Sequence, residues 1–410
     1  MKKTRLSAVA SLLAAGVLMG GCMADFGGES EGEEVAAQGP SVVEGDALGE
    51  AQQALSNTSP VAAGESHTLA VKSDGTVWAW GLNSSGQLGD GVTTPPSYRS
   101  TPLPVLDLTG VVSVAAGDSH SLAVTSDGTL WAWGNNSRGQ LGDGTKKHRR
   151  TPVPVPGLAG VVAMAANRFH SLAVTSDGTL WAWGYNGYGQ LGDGTKTDRL
   201  KPKPVLTGVV AVAAGNSYSL AVKSDGTLWA WGYNGYGQLG DGTTTDSLKP
   251  KPVLTGVVAV AAGSSHSLAL KSDGTLRAWG ANVSGQLGDG TTKQSLTPVP
   301  VLGLTDVVAV TAGTKHTLAV KSNGTLWAWG INLYGRLGNG KSDPSPQTTP
   351  QLVNLPGGVV ALGAGSEHSM AVKSDGTLWT WGFNQRGQVG GTAVFMRLTP
   401  GQLPGLPVKL

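Results

Sequence analysis

The chain has 410 residues, 63 of them glycine, with 14% charged residues and a net charge of +2, which excludes a disordered polyampholyte and an obvious nucleic-acid binder. No apolar run reaches the length of a membrane-spanning helix. A single cysteine excludes an internal disulfide.

The N-terminus reads MKKTR, then a mainly apolar run from Leu6 to Met19, then GGC, so residues 1–22 are read as a secretory signal peptide. Cys22 ends it, a placement that resembles the lipobox of bacterial lipoproteins, in which the cysteine becomes the lipidated first residue. Leu18 lies one place further upstream than that pattern, and Met19 stands where Leu normally does. The alternative is a chance cysteine beside an ordinary cleavage site, which would make the protein secreted and soluble. In the lipoprotein rule an acidic residue after the cysteine favours inner-membrane retention. Met23 follows here, so the expectation is an outer-membrane or cell-surface lipoprotein. Residues 23–59 hold eight Asp or Glu and no Lys or Arg, the composition of an acidic, disordered tether.

From residue 60 to 410 the chain repeats. Aligned on AAGxxHSLAVxSDGTLWAWGxNxxGQLGDG it gives seven copies, with His67, His120, His170, Tyr218, His266, His316 and His368 at one position. All 13 tryptophans fall in this motif, as six pairs plus Trp279, whose partner position is Arg277. Each copy reads as strands. VVAVAAG (257–263) is β-branched and small, HSLAL (266–270) alternates, SDG suits a hairpin turn, and TLRAW (275–279) alternates again. A Pro-interrupted run such as KPKPVL (249–254) can only be an edge strand.

Four short strands per unit without helical periodicity predict an all-β fold, a seven-bladed β-propeller of four-stranded antiparallel blades. The Ala-rich strand belongs at the narrow centre, the Trp pair between adjacent blades and the Pro-rich strand on the rim. The first unit starts at SPVAAG (59–64) without its GVV portion, and the chain ends GLPVKL (405–410). The ring is therefore expected to close through a C-terminal strand completing the first blade beside Pro60.

GYGQLG (187–192) matches the G-x-G-x-x-G nucleotide fingerprint, but DGTKTDRLKPKPV follows it and cannot open the helix that would hold a phosphate. Ser, His and Asp recur in nearly every unit, as in Ser119, His120, Ser121 and Asp127, and suggest a triad. A group present in nearly every blade serves what every blade needs, so structural hydrogen bonding is expected, such as His to a neighbouring loop's backbone. Six histidines spread around a ring cannot share a metal, and the GDG loops, with Asp193 and Asp198 or Asp241 and Asp246, are too poor in oxygens for calcium. No catalytic residue, metal or cofactor is expected. KKHRR (146–150) reads as a solvated loop, although the repeat region holds 26 Lys and Arg against 19 Asp and Glu.

These glycine, His, Asp-Gly, Trp-Gly and Gly-Gln-Leu-Gly positions resemble the repeat of the regulator of chromosome condensation family, over residues 60–410. Departures include Asn167 for Gly, Tyr218 for His, Arg277 for Trp, Asn323 for Asp and Arg336 for Gln. The resemblance implies a seven-bladed propeller. Eukaryotic members exchange nucleotide on a small GTPase and bind chromatin, so an exchange-factor-like regulator is one alternative. Secreted bacterial relatives, the β-lactamase inhibitory proteins, bind protein, and fold alone does not choose between these tasks. A propeller hydrolase or lyase, a third alternative, would need a polar cluster peculiar to one or two blades at the channel mouth, and none is evident in the sequence.

The favoured reading is a monomeric, non-catalytic protein-binding scaffold, with no nucleic acid and an unknown protein partner. In a four-strand meander the GxxH loops and the WGxNxxGQLG loops share one face. The residues that vary there are Tyr185, Tyr188, Tyr233, Tyr236, Tyr334, Phe383, Phe169 and Arg138, joined by Leu333, Arg168 and Arg386. Aromatic and Arg side chains dominate protein interfaces, so these residues are the candidate binding set. The competing expectation is that the tyrosines pack within their own loops.

Overall fold

The computed structural model describes residues 59–92, 97–391 and 394–410; the expectations for the signal peptide, for Cys22 and for residues 23–58 of the tether lie outside them. Seven four-stranded sheets follow one another along the chain, each an antiparallel meander in sequence order. The second blade is representative, with strands Val111–Ala116, His120–Thr125, Leu130–Gly134 and Arg149–Pro154. Among the described residues only one helical turn occurs, Leu333–Gly335.

The chemistry of each strand matches its depth. Innermost strands converge on a central channel of about 250 Å3 lined by small side chains such as Ala116, Ala165, Ala213 and Ala261. Larger side chains would crowd out the convergence. On the rim, Arg199–Leu206 carries Pro202 and Pro204, and its register with Leu180–Gly184 shifts twice, as expected of a strand with missing donors.

Both tryptophans of a pair lie on one face, because Trp181 and Trp183 are two residues apart on the third strand. They do not share one environment. Trp183 is fully buried, whereas Trp181 is half-buried. The fully buried member donates Nε1–H to a carbonyl of the preceding blade, as Trp133 does to Gln87 at 2.9 Å, and Trp80 closes the series on Gln388 at 2.9 Å. Arg277 occupies the half-buried position, where a long polar side chain keeps its head in water.

Ring closure uses both ends of the repeat region. The first innermost strand is short, Val61–Ala63, and Val408 pairs antiparallel with Lys72. Val257 pairs with Lys271 in the same way in the fifth blade. Val408 N–H donates to Gly376 O and Lys409 N–H to Val71 O, both at 2.9 Å. Val408 and Leu406 share one apolar cluster with Val61 and Trp80. The C-terminal segment thus supplies the portion that the first unit lacks.

Candidate functional site

The loops after the third strands are built on one buried asparagine each. Asn186 Oδ1 accepts from Leu191 N at 3.0 Å, and its Nδ2 donates to Asp193 at 3.1 Å and to the carbonyls of Thr195 and Thr197. Asp193 also receives Arg199 at 2.6 Å and Lys203 at 3.4 Å. The GDG carboxylates are therefore consumed by their own loops. Among the described residues no group of three or more His, Cys, Asp or Glu side chains could hold a metal ion.

On this scaffold the aromatic side chains meet in a ladder. Phe169 of the short loop contacts Tyr185 of the long loop edge-on at 6.4 Å, which puts both loop types on one face. The ladder continues Tyr185 to Tyr188 at 6.3 Å, Tyr188 to Tyr233 at 5.0 Å and Tyr233 to Tyr236 at 6.3 Å. Arg138 lies over Tyr185 at 5.1 Å and pairs with Asp198 at 3.7 Å, and Arg168 lies over Phe169 at 5.3 Å. Three adjacent blades thus contribute one strip of π faces flanked by guanidinium groups. Tyr185 and Tyr233 are half-buried, whereas Tyr188 and Tyr236 remain 39% and 47% exposed. One tyrosine of each pair thus packs within its loop, and the other is left exposed.

Tyr334 and Phe383 form a separate group, 4.6 Å apart. Phe395, absent from the sequence-based set, joins them at 6.0 and 5.2 Å and is 51% exposed. It lies beyond the GQVGGT string, where alignment to the repeat gives no signal. Tyr334 takes φ +61°, a left-handed conformation that costs a non-glycine residue energy.

The mouth of the channel corrects one expectation. Glu65, Asp118 and Arg168 occupy the first variable position of the GxxH loops in three successive blades, a polar cluster that is not repeated around the ring. Asp118 and Glu65 line the same cavity. Burial, and secondly the Glu65 charge, push the Asp118 carboxyl up to about 6, against the opposing pull of Arg168. The signal was present in the sequence as charge at a position that is Asn216, Ser264, Thr314 or Ser366 elsewhere.

The repeated Ser, His and Asp do not converge. Asp127 sits at the opposite turn, exposed, holding Thr125 and Thr129. His120 Nε2 instead meets Ser171 of the next blade at 2.9 Å, and Ser171 Oγ donates to Gln140 O at 2.8 Å. Since that hydroxyl has spent its proton, His120 Nε2 carries the hydrogen and donates. The same bond runs His67 to Ser121, His170 to Ser219, His266 to Thr317, His316 to Ser369 and His368 to Thr68. The partner is the hydroxyl on the neighbouring blade, where a loop backbone was expected. Burial holds His67 and His170 down at about 4, and His120, His266 and His368 at about 3. Tyr218 spans the same gap, its hydroxyl donating to His266 O and lying 3.1 Å from Ser267 Oγ, whose proton goes to Gln238 O.

A family model described as the RCC1-like domain matches residues 21–370, and a regulator of chromosome condensation (RCC1) repeat model matches residues 359–388. Among solved structures, human WBSCR16 is 28% identical with a TM-score of 0.69, covering 77% of this chain and 86% of that one. Prp20p of Saccharomyces cerevisiae, reported with its binding properties to Gsp1p and histones, is 25% identical with a TM-score of 0.73, covering 87% of this chain and 89% of that one. Among curated proteins, the human probable E3 ubiquitin-protein ligase HERC6 is 42% identical over 84 residues, 20% of this chain and 8% of the relative. Protein pim1 of Schizosaccharomyces pombe is 38% identical over 99 residues, 22% of this chain and 18% of the relative. The matched stretches thus span less than a fifth of these curated relatives' length. Because the RCC1-like model runs through six whole blades into the seventh, the chain belongs to the RCC1-like domain family.

Proposed function

We propose that this protein is an exported, lipid-anchored scaffold that binds a protein partner on the ladder of Phe169, Tyr185, Tyr188, Tyr233 and Tyr236 and catalyses no reaction. The observation that carries the reading is the ladder itself. Two exposed tyrosines stand on two half-buried ones, so contact area is offered by rings already fixed in place, at little entropic cost on binding. Arg138 and Arg168 add the other side chain that dominates hot spots. The use of every repeated histidine in a bond to the next blade supports a non-catalytic role. Prp20p, with its reported binding to Gsp1p and histones, supports protein binding as a task of this fold.

The double variant Tyr188→Ala, Tyr236→Ala tests the site. It should abolish capture of the envelope partner that the unaltered chain retains, with an unchanged melting temperature. Unfolding, or undiminished capture, would sink the assignment. Lipidation is tested separately by labelled palmitate incorporation into the full chain and its loss in Cys22→Ser. An unlabelled wild type recovered from the medium would be the secreted, soluble form, and one retained in the cytoplasm would reopen the exchange-factor alternative.

A further inference from the structure

Between the sixth, seventh and first blades the loop face opens into a cavity of about 390 Å3. That volume lies within the range of small-ligand sites. Its lining includes Glu65, Lys315, Ile331, Leu333, Arg336 and Glu367. Arg336 is the unusual member. The other six units place glutamine there, as Gln87, Gln140, Gln190, Gln238, Gln286 and Gln388.

The fold does not need this guanidinium. The other blades use the backbone carbonyl at this position and also the Gln Oε1, which accepts the backbone N–H two residues earlier, as from Ser85 to Gln87. In the sixth blade the Arg336 carbonyl still accepts Trp381 Nε1 at 2.9 Å and Ser369 Oγ at 2.8 Å, and Ser342 Oγ takes over the N–H of Tyr334 at 3.0 Å. The arginine is nevertheless only 3% exposed. Nε donates to Leu333 O at 2.9 Å, one Nη to Ser366 O at 3.2 Å and the other to Glu367 Oε1 at 3.3 Å. Three of its five N–H groups thus have acceptors, the one to Glu367 long, and the guanidinium lies 5.9 Å over the Tyr334 ring. A buried cation so partly satisfied is costly unless something else completes it. Lys315, exposed on the same lining, adds a second cation.

Glu65 faces this cavity and also the channel mouth, where it sits with Asp118. The Glu65 charge opposes ionisation of Asp118, and a cation beside Glu65 would offset it. The lining pairs two cations, Arg336 and Lys315, with two carboxylates, Glu65 and Glu367, so its charge suits a ligand that is neutral overall yet carries both signs.

We propose that this cavity binds a small zwitterion, an α-amino acid with an apolar side chain, its carboxylate held by Arg336 and Lys315 and its ammonium turned toward Glu65. Ile331 and Leu333, both half-buried, receive the side chain. A plain carboxylate would leave Glu65 unanswered, and a plain amine would leave Lys315 and the remaining N–H groups of Arg336 unanswered. The site is independent of the tyrosine ladder.

Calorimetric titration of the purified full chain with L-leucine, isocaproate and isoamylamine tests this, since the latter two lack the amine and the carboxylate respectively. Saturable binding of leucine is expected, with each analogue at least about tenfold weaker. Arg336→Gln restores the residue that six sister blades carry, so it should fold, keep its melting temperature or raise it, and lose leucine binding. Lys315→Ala, at an exposed position, provides a second variant expected to weaken leucine. Glu65→Gln should weaken leucine and leave isocaproate unchanged. Absence of saturable leucine binding, or equal affinity in Arg336→Gln, overturns the site, and isocaproate binding as tightly as leucine overturns the zwitterion.

Discussion

Gly187 and Gly235 lie beneath the tyrosine rings that set their loops apart. A Cβ on Gly187 would run into the ring and hydroxyl of Tyr185, and one on Gly235 into Tyr233. Neither glycine takes a positive φ, so the requirement is room and not backbone freedom. The string that imitated a nucleotide fingerprint therefore owes its first glycine to a tyrosine folded over it. Gly187→Ala should lift Tyr185 from the loop and break its edge contact with Phe169, while changing stability by less than about 1 kcal/mol. Near-ultraviolet circular dichroism should show altered tyrosine signals; an unchanged spectrum would contradict the packing. The tyrosines themselves were legible in the sequence, because they vary where the repeat does not dictate. Phe395 was not, because it enters from a stretch where the last unit leaves the repeat.

At the scale of the element, blades are joined by one repeated knot. The Gln87 carbonyl accepts both Ser121 Oγ and Trp133 Nε1 of the next blade, and Ser121 in turn takes the His67 proton. Ser121→Ala would strand a buried imidazole N–H and should cost about 1–3 kcal/mol. Ser121→Thr should be tolerated, because Thr68 and Thr317 hold this place in other blades. Urea unfolding distinguishes the two, and equal loss in both would refute the knot. Strand order, inner and outer strands and ring closure could be read from alternation, proline and the missing GVV portion. The knot could not, since the sequence displays glutamine side chains while the backbone carbonyl makes the bond. Nor does strand parity show depth, so the two tryptophans of a pair look equivalent until the structure separates a buried member from a half-buried one. Arg277 marks the half-buried position in the sequence, and the structure shows the Lys72 ammonium 4.8 Å over Trp78, another half-buried member.

For the whole molecule, six knots carry a neutral, fully buried histidine, and the seventh uses Tyr218. The unfolded chain binds protons on those histidines near pH 6.5, whereas burial holds five of them at about 3 or 4 and His316 well below its usual value. A group whose pKa falls on folding contributes stability above its unfolded value and loses it as the pH drops toward the folded one. Each histidine should therefore remove about 1.4 kcal/mol per pH unit below 6.5, and six should act together. Asp118 works the other way, its raised carboxyl contributing stability at low pH that is lost as pH rises through about 6, but it is one group against six. The turn aspartates, such as Asp74 and Asp127, are lowered by their Thr hydrogen bonds and matter only below their ordinary carboxylate range. Between pH 7 and pH 5 the six histidines outweigh the single opposing Asp118. The urea midpoint should fall steeply across that interval, in one cooperative transition, because Val408 and Val61 lock the last blade to the first and leave no free end from which to open. A flat profile would mean that the imidazoles are reached by water, and separate transitions would mean that the ring is not closed.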